Sequence, residues 1–142
     1  MLISDVIRGK GDLVVTVTPD QSVRAVVAML DEHKIGALVV SVDGRSVDGI
    51  VSERDVVRYL HRDGAAVLDA AVSDIMTKDV KVCSPQDNTE DIARTMTEAR
   101  VRHLPVVADG ALVAIISIGD VVKNRIDELQ VERQQLVDYI HR

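Results

Sequence analysis

The chain has 142 residues, 46% of them hydrophobic, so it can bury a core and is too apolar to remain disordered. A net charge of −6 with no Lys/Arg cluster excludes a duplex-binding face, and Tyr59 and Tyr139, with no Phe or Trp, cannot build stacking platforms for single strands. Cys83 stands alone and no apolar run approaches the roughly 18 residues of a membrane span, so no intrachain disulfide and no membrane segment are expected.

The N-terminal segment Met1-Leu2-Ile3-Ser4-Asp5 lacks a basic stretch followed by an apolar run, so no signal peptide is read and a cytoplasmic protein is expected. A short strand follows over about residues 13–17, closed by Thr18-Pro19, since proline cannot donate to a ladder. Val23, Val26, Val27 and Leu30 recur at i, i+3, i+4 and i+7, the period of a helix with one buried face. Gly36, just past Lys34, is read as the glycine that ends it. Strands over 37–42 and 47–51 are joined around Asp43-Gly44, a strong hairpin signal, and a second helix starts near Ser52. Residues 62–71 read as a connection.

The same order then recurs. Placing Pro19 over Pro85 sets an offset of 85 − 19 = 66. Val14 then meets Val80, Glu32 meets Glu98, Leu38 meets Leu104, and Asp43-Gly44 meets Asp109-Gly110. One residue is lost in the next turn, after which Ile50 meets Ile115, Ser52 meets Ser117 and Asp55 meets Asp120. The lead-in repeats as well, Ile3-Ser4-Asp5-Val6-Ile7 against Val72-Ser73-Asp74-Ile75-Met76. The second copy is expected to hold strands over 80–83, 104–108 and 112–116, with Ile92, Ala93, Met96 and Ala99 on its helix.

The fold class is therefore α/β, with mixed sheets in two β-α-β-β-α repeats that pack with pseudo-twofold symmetry around one core. The units are drawn at 1–66, 67–125 and 126–142. The last is an extension of the final helix, which runs over about 118–139. On it Val122, Ile126, Leu129, Arg133, Leu136 and Ile140 step by 4, 3, 4, 3 and 4, a heptad-like seam. That seam fits either packing along its own domain or meeting a second subunit.

The repeated motif that carries chemistry is Gly49-Ile50-Val51-Ser52-Glu53-Arg54-Asp55, matched by Ala114-Ile115-Ile116-Ser117-Ile118-Gly119-Asp120. A hydroxyl and a carboxylate stand three residues apart where a strand becomes a helix. Free N–H groups and the positive end of the helix dipole favour a phosphate there, and the Asp can accept from ribose hydroxyls. The same Ser-x-x-Asp is also an ordinary capping box, and duplicated helices need duplicated caps. The motif alone leaves both readings open.

The whole pattern over about residues 1–125 resembles a tandem pair of cystathionine-β-synthase (CBS) domains, the Bateman module. Val101-Arg102-His103-Leu104-Pro105-Val106-Val107 resembles that family's segment entering the second strand, and the Gly/Ala-led motif resembles its nucleotide signature. The resemblance implies adenine-nucleotide binding by Ser52 with Asp55 at one site and Ser117 with Asp120 at the other. The adenine would be enclosed by the end of the first strand (Thr18) and the segment entering the second (Gly36, Ala37). Arg102, His103 and Arg54 are the candidate phosphate contacts. Copy one enters its second strand as Ile35-Gly36-Ala37, without the basic pair of copy two, so the two sites are expected to differ.

AMP is the first ligand implied, with ADP, ATP, NAD and S-adenosylmethionine as others. The expected role is a regulatory sensor, a homodimer that signals ligand state to an effector protein. It is not expected to be an enzyme: His33, His61, His103 and His141 are scattered, no metal site is expected, and no Walker loop or nucleophile elbow is present. The alternative is a ligand-free interaction scaffold in which Ser-x-x-Asp only caps helices.

Overall fold

The computed structural model describes residues 1–10 and 14–142. Its elements in chain order are α1 (Ile3–Lys10), β1 (Thr16–Val17), α2 (Val23–His33), β2 (Ala37–Val40), β3 (Gly49–Ser52), α3 (Glu53–Asp63), α4 (Thr89–Ala99), β4 (His103–Ala108), β5 (Ala111–Ser117) and α5 (Ile118–Ile140), with 3-10 turns at Ala65–Asp69 and Val72–Asp74. Leu13, read above as the start of the first strand, lies outside the described residues. Each repeat thus carries the helix, hairpin and helix expected.

Each first helix begins on a polar cap. The Ser22 hydroxyl accepts from the Ala25 N–H at 3.1 Å, and the Asn88 side chain accepts from the Glu90 N–H at 2.8 Å. Both helices end on a residue in the left-handed region, Lys34 (φ 54) and Arg100 (φ 56). Gly36 is therefore not the terminating glycine. The turn falls two residues earlier, and its basic side chain carries the conformational cost while staying in solvent.

In the second hairpin Asp109 (φ 53) and Gly110 (φ 77) both take positive φ and join β4 to β5 directly, with Ala108 opposite Ala111. The first copy departs from this. β2 ends at Val40 and β3 starts at Gly49, so Asp43-Gly44 sits inside a longer loop over 41–48. There the Asp43 carboxylate accepts from the N–H groups of Arg45 and Ser46, both at 2.8 Å, and these bonds hold its carboxyl at about 2. The extra residue of the first copy is accommodated in this loop.

β1 pairs parallel with β2, and β2 pairs antiparallel with β3; β4 and β5 form a separate antiparallel pair. The strand expected over 80–83 is reduced to a single parallel bridge, Cys83 to Val106. The Cys83 N–H donates to Pro105 O at 3.0 Å, and the Val107 N–H donates to Cys83 O at 2.8 Å. Burial pushes the Cys83 thiol up to about 12, which fits packing and not nucleophilic use.

The packing does not form one fused core. Two clusters are present, one per sheet, and each borrows the lead-in of the other copy. Val72 and Ile75 pack with Val17, Val26, Leu38 and Val51 of the first copy. Ile3 and Val6 pack with Ile92, Met96, Leu104 and Ile116 of the second. The hydrogen bonds repeat the exchange: the Ser73 N–H donates to Pro19 O (3.0 Å) and the Ser4 N–H to Pro85 O (2.9 Å). Likewise the Val72 N–H donates to Gln21 O (2.8 Å) and the Ile3 N–H to Asp87 O (2.9 Å). Neither copy can be cut out along the chain without removing a buried segment of its neighbour's core.

α5 starts inside this arrangement, with Val121 buried in the second core, and then leaves it. Every residue after Glu128 is exposed, and the seam residues Leu129 (46%) and Leu136 (63%) face solvent. Packing along its own domain therefore does not account for the seam. Among the described residues no helix is long and apolar enough to cross a membrane.

Candidate functional site

Antiparallel pairing places Ala37 opposite Ser52 and, in the second copy, His103 opposite Ser117. The carbonyl just before each entering strand then meets the start of the following helix. The Glu53 N–H donates to Gly36 O at 3.0 Å and the Ile118 N–H to Arg102 O at 2.8 Å. Each Ser-x-x-Asp forms a complete capping box. The Ser52 N–H donates to Asp55 Oδ2 (2.9 Å) while the Asp55 N–H donates to Ser52 Oγ (3.3 Å). The corresponding distances at Ser117 and Asp120 are 2.8 and 3.1 Å.

This corrects one expectation. Of the N–H groups at the start of α3, those of Ser52, Glu53 and Asp55 are taken by the protein itself. A phosphate at this place must be held mainly by side chains.

A cleft of about 280 Å³ opens over the first motif. Its walls come from four segments: Gly36-Ala37, Ile50 to Arg58, Thr77 to Lys81, and Arg100 to Leu104. Seven of the residues singled out from the sequence line it, namely Gly36, Ala37, Ser52, Arg54, Asp55, Arg102 and His103. Arg54, Arg58, Lys81, Arg100 and Arg102 face three carboxylates, Glu53, Asp55 and Asp79. An acidic chain thus concentrates positive charge in this cleft, where an anionic ligand would be drawn.

Gly36 has its own reason here. A methyl group on it would stand 3.1 Å from Cε1 and 3.2 Å from Nε2 of His103, so the glycine lets the second copy's imidazole lie against the first copy's strand. Burial, then the nearby Lys10 ammonium, holds His103 below its ordinary 6.5, against Glu53 and Asp120. The imidazole therefore favours the neutral form.

Three expected residues are not brought to this cleft. Thr18 follows β1, whose pairing of Val17 with Val40 puts it at the Ser41 end of the sheet. Ser52 pairs with Ala37 at the other end, about 13 Å away at 3.3 Å per residue. Thr18 instead bonds Asp20 (2.6 Å) and Gln21 (2.9 Å) in its own turn. Ser117 and Asp120 form the related place on the second copy, and that place is dressed differently. The Lys10 ammonium donates to Asp120 Oδ2 at 2.7 Å and to Ile115 O at 2.8 Å. Burial alone would raise the Asp120 carboxyl, but Lys10 and the Ser117 N–H outweigh it and hold it below the ordinary 3.8.

Sequence reasoning missed Lys10, Arg58, Thr77, Asp79, Lys81 and Arg100. The signal for the first and fourth was available in the lead-in repeat, whose offset of 72 − 3 = 69 places Lys10 over Asp79. The exchange of lead-ins between copies, which brings these residues to the motifs, is a property of the tertiary fold alone.

The comparisons agree with this architecture. The chain is 35% identical over 146 residues to the CBS domain-containing protein CBSX3, mitochondrial, of Arabidopsis thaliana, covering 97% of this chain and 71% of that one. The crystal structure of the CBS-domain containing protein ATU1752 from Agrobacterium tumefaciens superposes with a TM-score of 0.84 at 46% identity, over 88% of this chain and 99% of that one. The CBS domain pair of protein MJ0100, in complex with 5′-methylthioadenosine and S-adenosyl-L-methionine, shares the fold with a TM-score of 0.79 at 20% identity, over 90% and 98%. The CBS domain family matches at two places, residues 11–62 and 72–127, one on each repeat, and the chain belongs to that family as a tandem CBS pair.

Proposed function

We propose that the chain is a regulatory adenine-nucleotide sensor, not a catalyst, with AMP as its first ligand and a partner protein as its reader. The observation that carries the reading is the cleft at Ser52 and Asp55. It is open, lined by five basic side chains in a chain of charge −6, and placed beside a carboxylate able to accept from ribose hydroxyls. Asp55 uses Oδ2 in the cap, while its Oδ1 lies 3.7 Å from Arg58, so capping and ligand contact draw on different oxygens. That the MJ0100 pair takes two adenosine compounds supports the choice of base. Arg54, Arg102 and His103 are the phosphate contacts in this reading, with Gly36 and Ala37 on the adenine side.

Exposed apolar side chains on the helices support a homodimer. Val27 and Val57 of the first copy and Val122 and Ile126 of the second face solvent.

The complete capping boxes favour a second reading, in which the clefts stay empty and the module is an interaction scaffold. A thermal-shift screen separates the two, using AMP, ADP, ATP, NAD, S-adenosylmethionine and GMP. A ligand at 100 times its dissociation constant adds about 2.7 kcal/mol of stability. Adenine ligands are expected to raise the midpoint while GMP does not. In Asp55→Ala, loss of the cap alone costs about 1 kcal/mol of stability, whereas loss of a ligand contact weakens AMP by more than about tenfold. Intact AMP affinity in that variant removes Asp55 from the site, and no shift with any ligand establishes the scaffold.

A further inference from the structure

α5 runs on past its own core. Val121 at its root is buried, but every residue after Glu128 is exposed, and the CBS family match ends at residue 127. The helix nevertheless continues to Ile140. Isolated helices below about 12–15 residues are marginal in water, and packing of an amphipathic face is what usually holds them. The extension therefore calls for a partner along one face.

The heptad steps define that face. Ile126, Leu129, Leu136 and Ile140 share it with Arg133, and all are exposed, as are Val137 and Tyr139 at its far end. Asp127, Gln134, Gln135 and Asp138 fall on the other side of the helix, with Val131 the apolar exception there. The seam thus contains one cation, Arg133, with Glu132 at its flank. Among the described residues neither makes an ion pair within the chain. Arg125, at the same flank position one heptad earlier, is by contrast held by Glu90 and Glu128.

We propose that this face is covered by α5 of a second copy, in a parallel, in-register coiled coil whose Arg133 pairs with the partner's Glu132. The inference deepens the homodimer reading above, naming its surface and orientation, and is independent of the nucleotide. In a parallel pair the side chain of Arg133 enters a hole made by the partner's Leu129, the partner's Glu132, the partner's Arg133 and the partner's Leu136. Each guanidinium leans to its own flank, where it meets a carboxylate, and this parts the two cations. The twofold axis repeats the bond. The antiparallel pair that keeps every seam layer sets Arg133 against the partner's Leu129 and brings the two Glu132 carboxylates together near its midpoint. Charge therefore selects the parallel register, as a polar residue in an apolar seam can do.

Sedimentation equilibrium of the full chain reads the association. Arg133→Glu and Glu132→Arg each set like charges across the seam at two symmetry-related places, and each is expected to weaken the dimer by roughly tenfold or more. The exchanged pair, E132R with R133E, restores opposite charges and is expected to return to within about threefold of wild type. Leu136→Cys is expected to oxidise to a covalent dimer, because that position meets itself in the parallel register; Cys83 is buried and stays out of the reaction. A wild-type dimer that neither single charge change weakens overturns the α5 contact and leaves the homodimer to another face. Weakening without rescue in the exchanged pair, or a covalent link formed only between Ile126→Cys and Leu136→Cys chains, overturns the parallel register. A wild-type chain that is monomeric throughout removes the homodimer as well. Circular dichroism and thermal midpoints close to wild type show that the variants are folded.

Discussion

Gly49 and Ala114 occupy the same position of the repeated motif, and the structure gives a reason for the difference that Gly49→Ala would test. A methyl group at Gly49 would stand 2.5 Å from Met76 Sδ, 3.0 Å from Met76 Cγ and 3.0 Å from Thr77 O. The methionine can swing aside. The carbonyl cannot, because Thr77 is tied to Ile50 by two main-chain bonds of 2.9 and 3.0 Å. In the second copy the group that meets Ile115 O is the slender end of Lys10, and Ala114 is buried beside it. Overpacking of this kind costs about 1–3 kcal/mol, which at this chain length lowers the thermal midpoint by roughly 3–10 °C. Urea unfolding followed by circular dichroism reads the free energy. Amide exchange at Ile50 and Thr77 is expected to quicken, because the bridge between them must open to admit the methyl. AMP affinity should fall as well, since both residues line the first cleft. The converse variant, Ala114→Gly, loses only a buried methyl and some backbone restriction, about 1 kcal/mol. A Gly49→Ala protein within about 0.5 kcal/mol of wild type, with unchanged exchange at Thr77, would refute the argument from close approach.

His103 makes stability depend on pH. Its folded value lies below the ordinary 6.5, so the unfolded chain binds the proton more readily. Its contribution is therefore full above about pH 6.5 and is lost as pH falls through that value toward the lowered one. A series of urea transitions between about pH 5 and pH 8 should show a slope that His103→Gln flattens; equal slopes in the two proteins would contradict the assignment. The exposed seam of α5 gives a further prediction. If the proposed homodimer forms through this seam, Leu129→Ser with Leu136→Ser should halve the mass read by light scattering while leaving the circular dichroism of the folded core unchanged, because both side chains are largely exposed in their own chain. Unchanged mass would remove the seam as a contact between copies.

The sequence by itself determined the duplicated plan. Pro19 and Pro85 mark the ends of the first strands, the i, i+3, i+4 stripes mark the first helices, and Ser52 and Ser117 mark the starts of the second. These signals are local, because a cap, a turn or a helical stripe is set by residues within a few positions of one another. The same locality carried α5, placed at about 118–139 and found over Ile118–Ile140. Where a local signal was misjudged, the competing cause was also near at hand: Lys34 takes the left-handed turn two residues before Gly36, and one extra residue opens the first hairpin into a loop.

What only the tertiary structure decided was which segments meet. The lead-ins cross to the opposite copy, so Thr77 to Lys81 line the cleft of the first motif and Lys10 bonds the carboxylate of the second. Thr18, close to the motif in the expected picture, stands at the far end of the sheet because β1 runs parallel to β2. No spacing rule contains these facts. They follow from burial of Ile3, Val6, Val72 and Ile75, each of which finds its apolar partners in the core of the other repeat.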